Sequence, residues 1–271
     1  MIRIITDSSS DLTKKYCEKN NIAMIPLALN FGSASYYDGI DISKEEFYHK
    51  LADCSELPTT SLAGPQRFIE EYNKYPEDDI ICLMIASGLS GTMQAALIAK
   101  EEVKRDNITV IDTGQTTAGL SLIIEVAIQL INSGKSYTEV IESLKKDIPR
   151  VEIRAVVDTL KYLVKGGRLS KVSGAVGGVL SIKPIITCVD GELANVGKAR
   201  GFKAAAKLVA TTVNESIDNT MPIKFLYSYN DENLEILKSE LEYIKGETIA
   251  LGAIVGTHIG PNAAGIAYFR K

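Results

Sequence analysis

Through the first half of the chain, short apolar runs alternate with amphipathic stretches. Ile2–Ile5 is an apolar run that ends at Asp7. Ser8-Ser9-Ser10-Asp11 then offers hydroxyls and a carboxylate to helix-end amides, and Leu12 and Tyr16 share one helical face. Ala23–Asn30 is a second apolar run, and residues 43–52 have a helical pattern. Pro65 suits the first position of another helix, with Phe68 and Tyr72 on its inner face. Ile80–Ile85 and Ile108–Ile111 are short isoleucine-rich runs, each followed by polar residues and a helical stretch. This β–α alternation predicts a parallel sheet covered by helices.

The second half has a different rhythm. Ile185–Val189 and Glu192–Lys198 flank Asp190-Gly191, a pair suited to a hairpin turn with positive φ at both positions. A helix is expected from Phe202 to about Asn219, a strand over Ile223–Tyr229 and a helix over Asn233–Lys245. Strands are expected at Ile249–Val255 and Ala264–Phe269. The fold class expected is therefore α/β. Residues 1–150 would form a parallel-sheet α/β domain, and residues 151–271 an α+β domain with antiparallel strands, divided near Pro149-Arg150. A length of 271 residues supports two cores better than one.

A net charge of −4 argues against a nucleic-acid partner. Cys17, Cys54, Cys82 and Cys188 are widely spaced and form no C-x-x-C pair, so they read as thiols of a reducing compartment. The opening residues turn polar too soon for a signal peptide, and no apolar run approaches the roughly 20 residues of a membrane span. A cytoplasmic location without stable membrane insertion is expected.

Several familiar sites are missing. Gly134-Lys135-Ser136 has Gln129 where a phosphate loop needs its first glycine. Asp7-Ser8-Ser9-Ser10 stands where a dinucleotide loop would follow the first strand. Gly88-Leu89-Ser90-Gly91-Thr92 places threonine where a serine-hydrolase elbow ends in glycine. Only His49 and His258 are present, which excludes a histidine-rich metal site.

What remains is a set of small hydroxyl residues at strand ends. Ala86-Ser87-Gly88-Leu89-Ser90-Gly91-Thr92 follows a buried strand and opens a helix. It admits two readings: an ordinary cap with a glycine turn, or an anion site built on unpaired amides. Pro58-Thr59-Thr60-Ser61 is likewise a loop with a cap or part of a site. In an open α/β sheet, Asp7, Thr60 and Ser90 would lie near the crevice at the strand ends. Lys165-Gly166-Gly167-Arg168 reads as a helix C-cap with Gly166 left-handed, or as a cation on a glycine turn. His258 sits between Gly256 and Gly260 in an expected turn, as core filling or as a polar functional group; His49, among charges, reads as a solvated helix residue.

In chain order, Asp7-Ser8-Ser9-Ser10-Asp11-Leu12, Pro58-Thr59-Thr60-Ser61, Ser87–Thr92 and Asp112-Thr113 come first. Leu163–Ser170, Ile182-Lys183-Pro184, Asp190-Gly191, Lys198-Ala199-Arg200 and Thr257–Pro261 follow. Together these segments resemble the DegV family of fatty-acid-binding proteins over nearly the whole chain. The resemblance implies a carrier, not an enzyme, with no catalytic residue, cofactor or metal. It would bury one long-chain fatty acid of the palmitate, stearate or oleate class. A separate fatty acid kinase would be its partner. Thr60, Ser90 and His258 correspond to carboxylate-binding positions, with the helix start at Gly91 and Thr92 beside the head group. Arg168 and Arg200 correspond to basic residues at the pocket mouth that face the partner or a phosphate, and Asp7 and Ser8 would stand behind the site.

Two departures lie close to that head group. The family often has two serines where this chain has Ala86-Ser87, and Ser-Gln-Pro where it has Ser61-Leu62-Ala63. The alternative reading is an acyl ester or thioester hydrolase using Ser90 and His258 with Asp7.

Overall fold

The computed structural model describes residues 1–169 and 181–271. Ser170, quoted above, lies outside the described residues. Labels below follow chain order. Strands β1 (Ile2–Asp7), β2 (Ile22–Ile25), β6 (Asp79–Met84) and β7 (Ile108–Asp112) form an all-parallel sheet in the order β2-β1-β6-β7. Its central strands are apolar on both faces, as a helix-covered parallel sheet requires. Ile4, Ile81 and Leu83 face α5 (Thr117–Asn132) and α6 (Tyr137–Asp147). Ile5, Ile80, Cys82 and Met84 face α3 (Pro65–Asn73) and α4 (Thr92–Val103). Phe68 and Tyr72 are fully buried on α3, which carries Pro65 at its start.

The expected run Ala23–Asn30 is two strands, because Pro26 and Leu27 end β2 before β3 (Ala28–Phe31) begins. With β4 (Ala34–Tyr37) and β5 (Thr59–Ser61), β3 forms a small antiparallel sheet, in which Leu29 pairs with Thr60. Thr59–Ser61 is thus a short strand and not a loop. Helix α2 (Lys44–Asp53) follows β4 and starts on a capping box between Ser43 and Glu46.

The second sheet has the order β10-β9-β8-β13-β11-β12. Its strands are β8 (Val151–Val156), β9 (Ile182–Val189), β10 (Glu192–Arg200), β11 (Lys224–Tyr227), β12 (Glu247–Ala250) and β13 (Ala264–Phe269). Its pairs are antiparallel except β11 with β12. Asp190 and Gly191 form the expected hairpin turn, at φ 50° and 76°. One face of the sheet packs on α8 (Phe202–Ser216) and α9 (Glu232–Ser239), through Val156, Ile185 and Phe225. The other face shares a core with α5 through Ile153, Ile186 and Phe269. Lys224, 2% exposed, ties β11 to α5 through Glu125 at 2.7 Å.

The strand expected at Ile249–Val255 is realised only as far as Ala250, the end of β12. Ala253–Ile259 is helix α10, and His258 lies in its last turn. The five-residue helix α7 (Lys161–Lys165) precedes Gly166. The left-handed residue there is Gly167, at φ 71°, while Gly166 keeps a right-handed conformation.

Candidate functional site

A cavity of about 370 Å³ opens between the two large sheets. Its walls are apolar, drawn from Leu27, Ile153, Ala155, Ile186, Leu193 and Leu226 among others. Thr60, Ser90, Gly91, Arg168 and His258 line it as well. A second depression, of about 350 Å³, is lined by Glu56, Tyr162 and Lys165 and shares Thr60, Arg168 and His258 with the first. These three residues therefore separate an apolar chamber from a polar mouth.

Each arrives on a different segment. Thr60 is held by β5, Ser90 by the loop between β6 and α4, Arg168 by the turn after α7, and His258 by α10. The loop of Ser90 is fixed from both sides. Ala86 N–H donates to the Gln115 carbonyl at 2.9 Å, and Gly88 packs against the Asp190-Gly191 turn. A Cβ at Gly88 would lie 2.6 Å from the Gly191 carbonyl oxygen, so the hairpin of the second half buttresses the serine loop of the first.

Ser90 Oγ lies 2.8 Å from Thr92 Oγ1 and accepts the Thr92 N–H at 3.3 Å. Gly91, before the first residue of α4, supplies no side-chain cap, so beyond the Thr92 N–H held by Ser90 the first-turn amides of that helix have no capping side chain. Arg168 donates from Nε to the Leu89 carbonyl at 3.3 Å and from its guanidinium to the Gly166 carbonyl at 2.6 Å. These two contacts aim a delocalised cation at the boundary of the two cavities.

His258 Nε2 is 2.9 Å from Thr60 Oγ1. Its Nδ1 is buried without a hydrogen-bond partner and faces Gly166, where a Cβ would lie only 2.2 Å away. Burial first, and the charge of Arg168 second, push the His258 pKa down to about 4. The ring is thus neutral at pH 7, with one N–H and one lone pair.

The other expected residues fall as follows. Asp7 accepts from Ser9 and from Ile85 N–H at 3.0 Å, so it anchors a residue of the cavity wall. Ser8 Oγ accepts from the N–H of Leu27, another wall residue, at 3.1 Å. Arg200 is exposed at the end of β10 and lines neither cavity. Of the two departures, Ala86 is fully buried, while Leu62 lines the cavity and is 49% exposed.

Among the described residues no hydrogen bond joins His258 to Ser90 or to Asp7. A serine–histidine–aspartate relay is not assembled. No group of three or more histidine, cysteine or acidic side chains is placed to hold a metal among the described residues. No helix of the described residues is long and apolar enough to cross a membrane.

Sequence reasoning missed a buried pair of acids behind the cavity, Asp11 and Asp38, beside the half-buried Lys44, and two glycines that permit close contacts, Gly166 and Gly252. The Gly252-x3-Gly256-x3-Gly260 spacing was the available signal for a helix packed through glycines.

A profile described as "Uncharacterised protein, DegV family" matches residues 1–271. A DegV domain-containing protein of Caldanaerobacter subterraneus is 36% identical over 278 residues, covering 100% of this chain and 99% of the relative. One from Clostridium acetobutylicum is 35% identical over 275 residues, with coverage of 100% and 99%. Among solved structures, a DegV family protein of Thermus thermophilus, described for its fatty acid binding, superposes with a TM-score of 0.89 at 28% identity. A stearic acid-binding protein of Eubacterium ventriosum superposes at 0.88 and 27% identity. Both cover 100% of this chain and 99% of their own.

Proposed function

Because the chain belongs to the DegV family, we propose that it is a cytoplasmic carrier that buries one long-chain fatty acid and presents the carboxylate to a partner fatty acid kinase. The observation that carries this reading is the junction of an apolar chamber with a polar mouth at Thr60, Arg168 and His258. The solved relatives described as fatty-acid or stearic acid binders support it.

The energetics suit such a ligand. About 15 buried methylenes at roughly 0.8 kcal/mol each give a gross drive of about 12 kcal/mol, reduced by the cost of ordering. The carboxylate is the costly end, since an unpaired buried anion is strongly disfavoured. Ser90, Thr60 and the open start of α4 would bind it, with Arg168 as the nearby cation. His258 takes its part through Thr60: a neutral ring donating from Nε2 leaves the Thr60 hydroxyl proton free for the carboxylate. Arg200, exposed on β10, would face the partner. No step makes this chain a catalyst; phosphorylation is the kinase's chemistry. The division near Pro149-Arg150 belongs to this proposal, with the parallel sheet before it, the six-stranded sheet after it and the chamber between them.

Mass spectrometry of organic extracts from natively purified protein tests the reading. About one fatty acid per chain is expected. No stoichiometric lipid, together with no uptake of added fatty acid, overturns it.

A further inference from the structure

Asp11, fully enclosed behind the cavity, plays no part in the contacts described so far. Its Oδ1 accepts the Gly252 N–H at 2.7 Å, and its Oδ2 accepts the Thr117 hydroxyl at 2.6 Å. Gly252 immediately precedes α10, and Thr117 is the first residue of α5. One carboxylate therefore joins the starts of two helices that line the chamber. Thr117 lines it directly, and α10 brings Ile254, Val255 and His258 to it. Asp38 adds a weaker hold, accepting the Ala253 N–H at 3.3 Å. Lys44 donates to the carbonyls of Asp11 and Ala250 and offsets the two acids.

Two further observations show that this arrangement is imposed on the backbone. Thr117 has φ 44°, a conformation rare for a β-branched residue. Such strain persists only where the surroundings hold it, and the bond to Asp11 is the side-chain contact that does so. At Gly252 a Cβ would lie 2.7 Å from Asp11 Oδ1 and 3.4 Å from Asp38 Oδ1. The two carboxylates reach the start of α10 only because that residue has no side chain.

We propose that Asp11 is a positioning residue for carboxylate recognition, setting through Gly252 and Thr117 the placement of His258 and its hydrogen bond to Thr60. The ligand half of this inference rests on the fatty-acid reading; the placement of His258 does not. Helix α10 has seven residues, so a shift at its start moves His258 with it as a rigid body. Asparagine at position 11 removes the charge and one acceptor oxygen: its Oδ1 can keep the Gly252 N–H, but the Thr117 hydroxyl then meets an N–H donor in place of a carboxylate oxygen and must turn its own proton elsewhere.

The test uses Asp11→Asn, Thr117→Val and Thr117→Ser in the full chain. The ring resonances of His258 are recorded on delipidated protein. Dissociation constants are then measured for a long-chain fatty acid and for the fatty alcohol of equal length. Asp11→Asn is expected to move the His258 resonances without ligand. It should weaken the acid by at least about tenfold and the alcohol by less than about threefold, since the lost contacts serve a charged group. Thr117→Val should act in the same direction more mildly, and Thr117→Ser, which keeps the hydroxyl, should stay near the native protein. Unchanged His258 resonances, or equal losses for acid and alcohol, overturn the proposal. If Asp11→Asn does not fold, Thr117→Val decides by the same criteria. If the native protein binds no fatty acid, the functional reading falls separately, and the His258 resonances of the variants alone decide the positioning role.

Discussion

A neutral histidine beside an arginine would be an unusual pair for the proposed task of holding an anion, and the reason lies in what each can do. Arg168 carries the charge. His258, buried and with that charge nearby, is held uncharged, its pKa pushed down to about 4 from an ordinary 6.5. The sign of the linkage follows: the unfolded chain binds this proton more readily, so the contribution to stability is fully present above pH 6.5 and is lost as pH falls through 4. Asp38 runs the other way. Burial first, then the charge of Asp11, raise its pKa from 3.8 to about 6, so its contribution is fully present below pH 3.8 and is lost as pH rises through 6. Nuclear magnetic resonance titration of His258 checks this directly. With only two histidines in the chain, a His49→Gln background leaves a single ring to follow. The expected value in delipidated protein is about 4. Arg168→Ala should raise it by removing a cation, and a bound carboxylate should raise it by adding an anion. A ligand-free value near 6.5 would contradict the burial seen here.

At the scale of elements, α10 explains most of what the sequence hid. Its residues Ile254 and Val255 are β-branched, and Gly252, Gly256 and Gly260 recur every fourth position. Glycine and β-branched residues are weak helix formers, so local propensity points to a strand ending in a turn. Tertiary contacts decide otherwise. A Cβ at Gly256 would lie 2.6 Å from the Phe47 ring, and one at Gly260 would lie 2.3 Å from the Tyr162 ring. The helix exists because its glycine-bearing side is packed closely on Asp11, Phe47 and Tyr162. By contrast, the parallel strands, α3, α4 and the Asp190-Gly191 hairpin were legible, since there propensity, periodicity and turn chemistry agree with the fold. Thr60 and Ser90 could be placed near the strand-end crevice and His258 marked as a polar candidate from the sequence, but only the resemblance joined the three; nothing in their spacing tells that β5 and α10 meet. The same packing gives a prediction at Gly166. Its φ of −75° suits alanine, so the collision with the His258 ring, at 2.2 Å from Nδ1, is the main obstacle, with a tighter than usual approach of 3.1 Å to the Tyr162 carbonyl oxygen beside it. Gly166→Ala should cost about 1–3 kcal/mol in thermal or denaturant unfolding. His258→Ala should recover much of that loss in the double variant, because the two residues are in contact. Additive losses would show that the strain lies elsewhere.

For the whole molecule, the proposed function raises the question of how a buried carboxylate would become available to another protein. The chamber lies between the sheets, and its polar end opens into the depression that contains Lys165 and Glu56. Arg168 belongs to both spaces, so replacing it alters the ligand site together with any partner contact. Arg200 separates the two roles. It is exposed and lines neither space, so lipid uptake should not sense its loss. Its planar fork suits a carboxylate or phosphate on a docking surface. Arg200→Ala should therefore leave fatty-acid affinity unchanged while lowering turnover of the bound acid, by a fatty acid kinase with ATP, by roughly tenfold. Arg200→Glu should be worse, because repulsion joins the lost contact. Both defects should shrink at high salt, where an exposed charge is screened beyond roughly 10 Å at 0.1 M and over a shorter range above it. Arg168→Ala should impair uptake and turnover together. The measurement is a paired lipid titration and kinase assay on the same preparations, at low and high ionic strength. Turnover by Arg200→Glu equal to that of the native protein would remove Arg200 from the docking surface and leave the mouth at Arg168 as the remaining route to the partner.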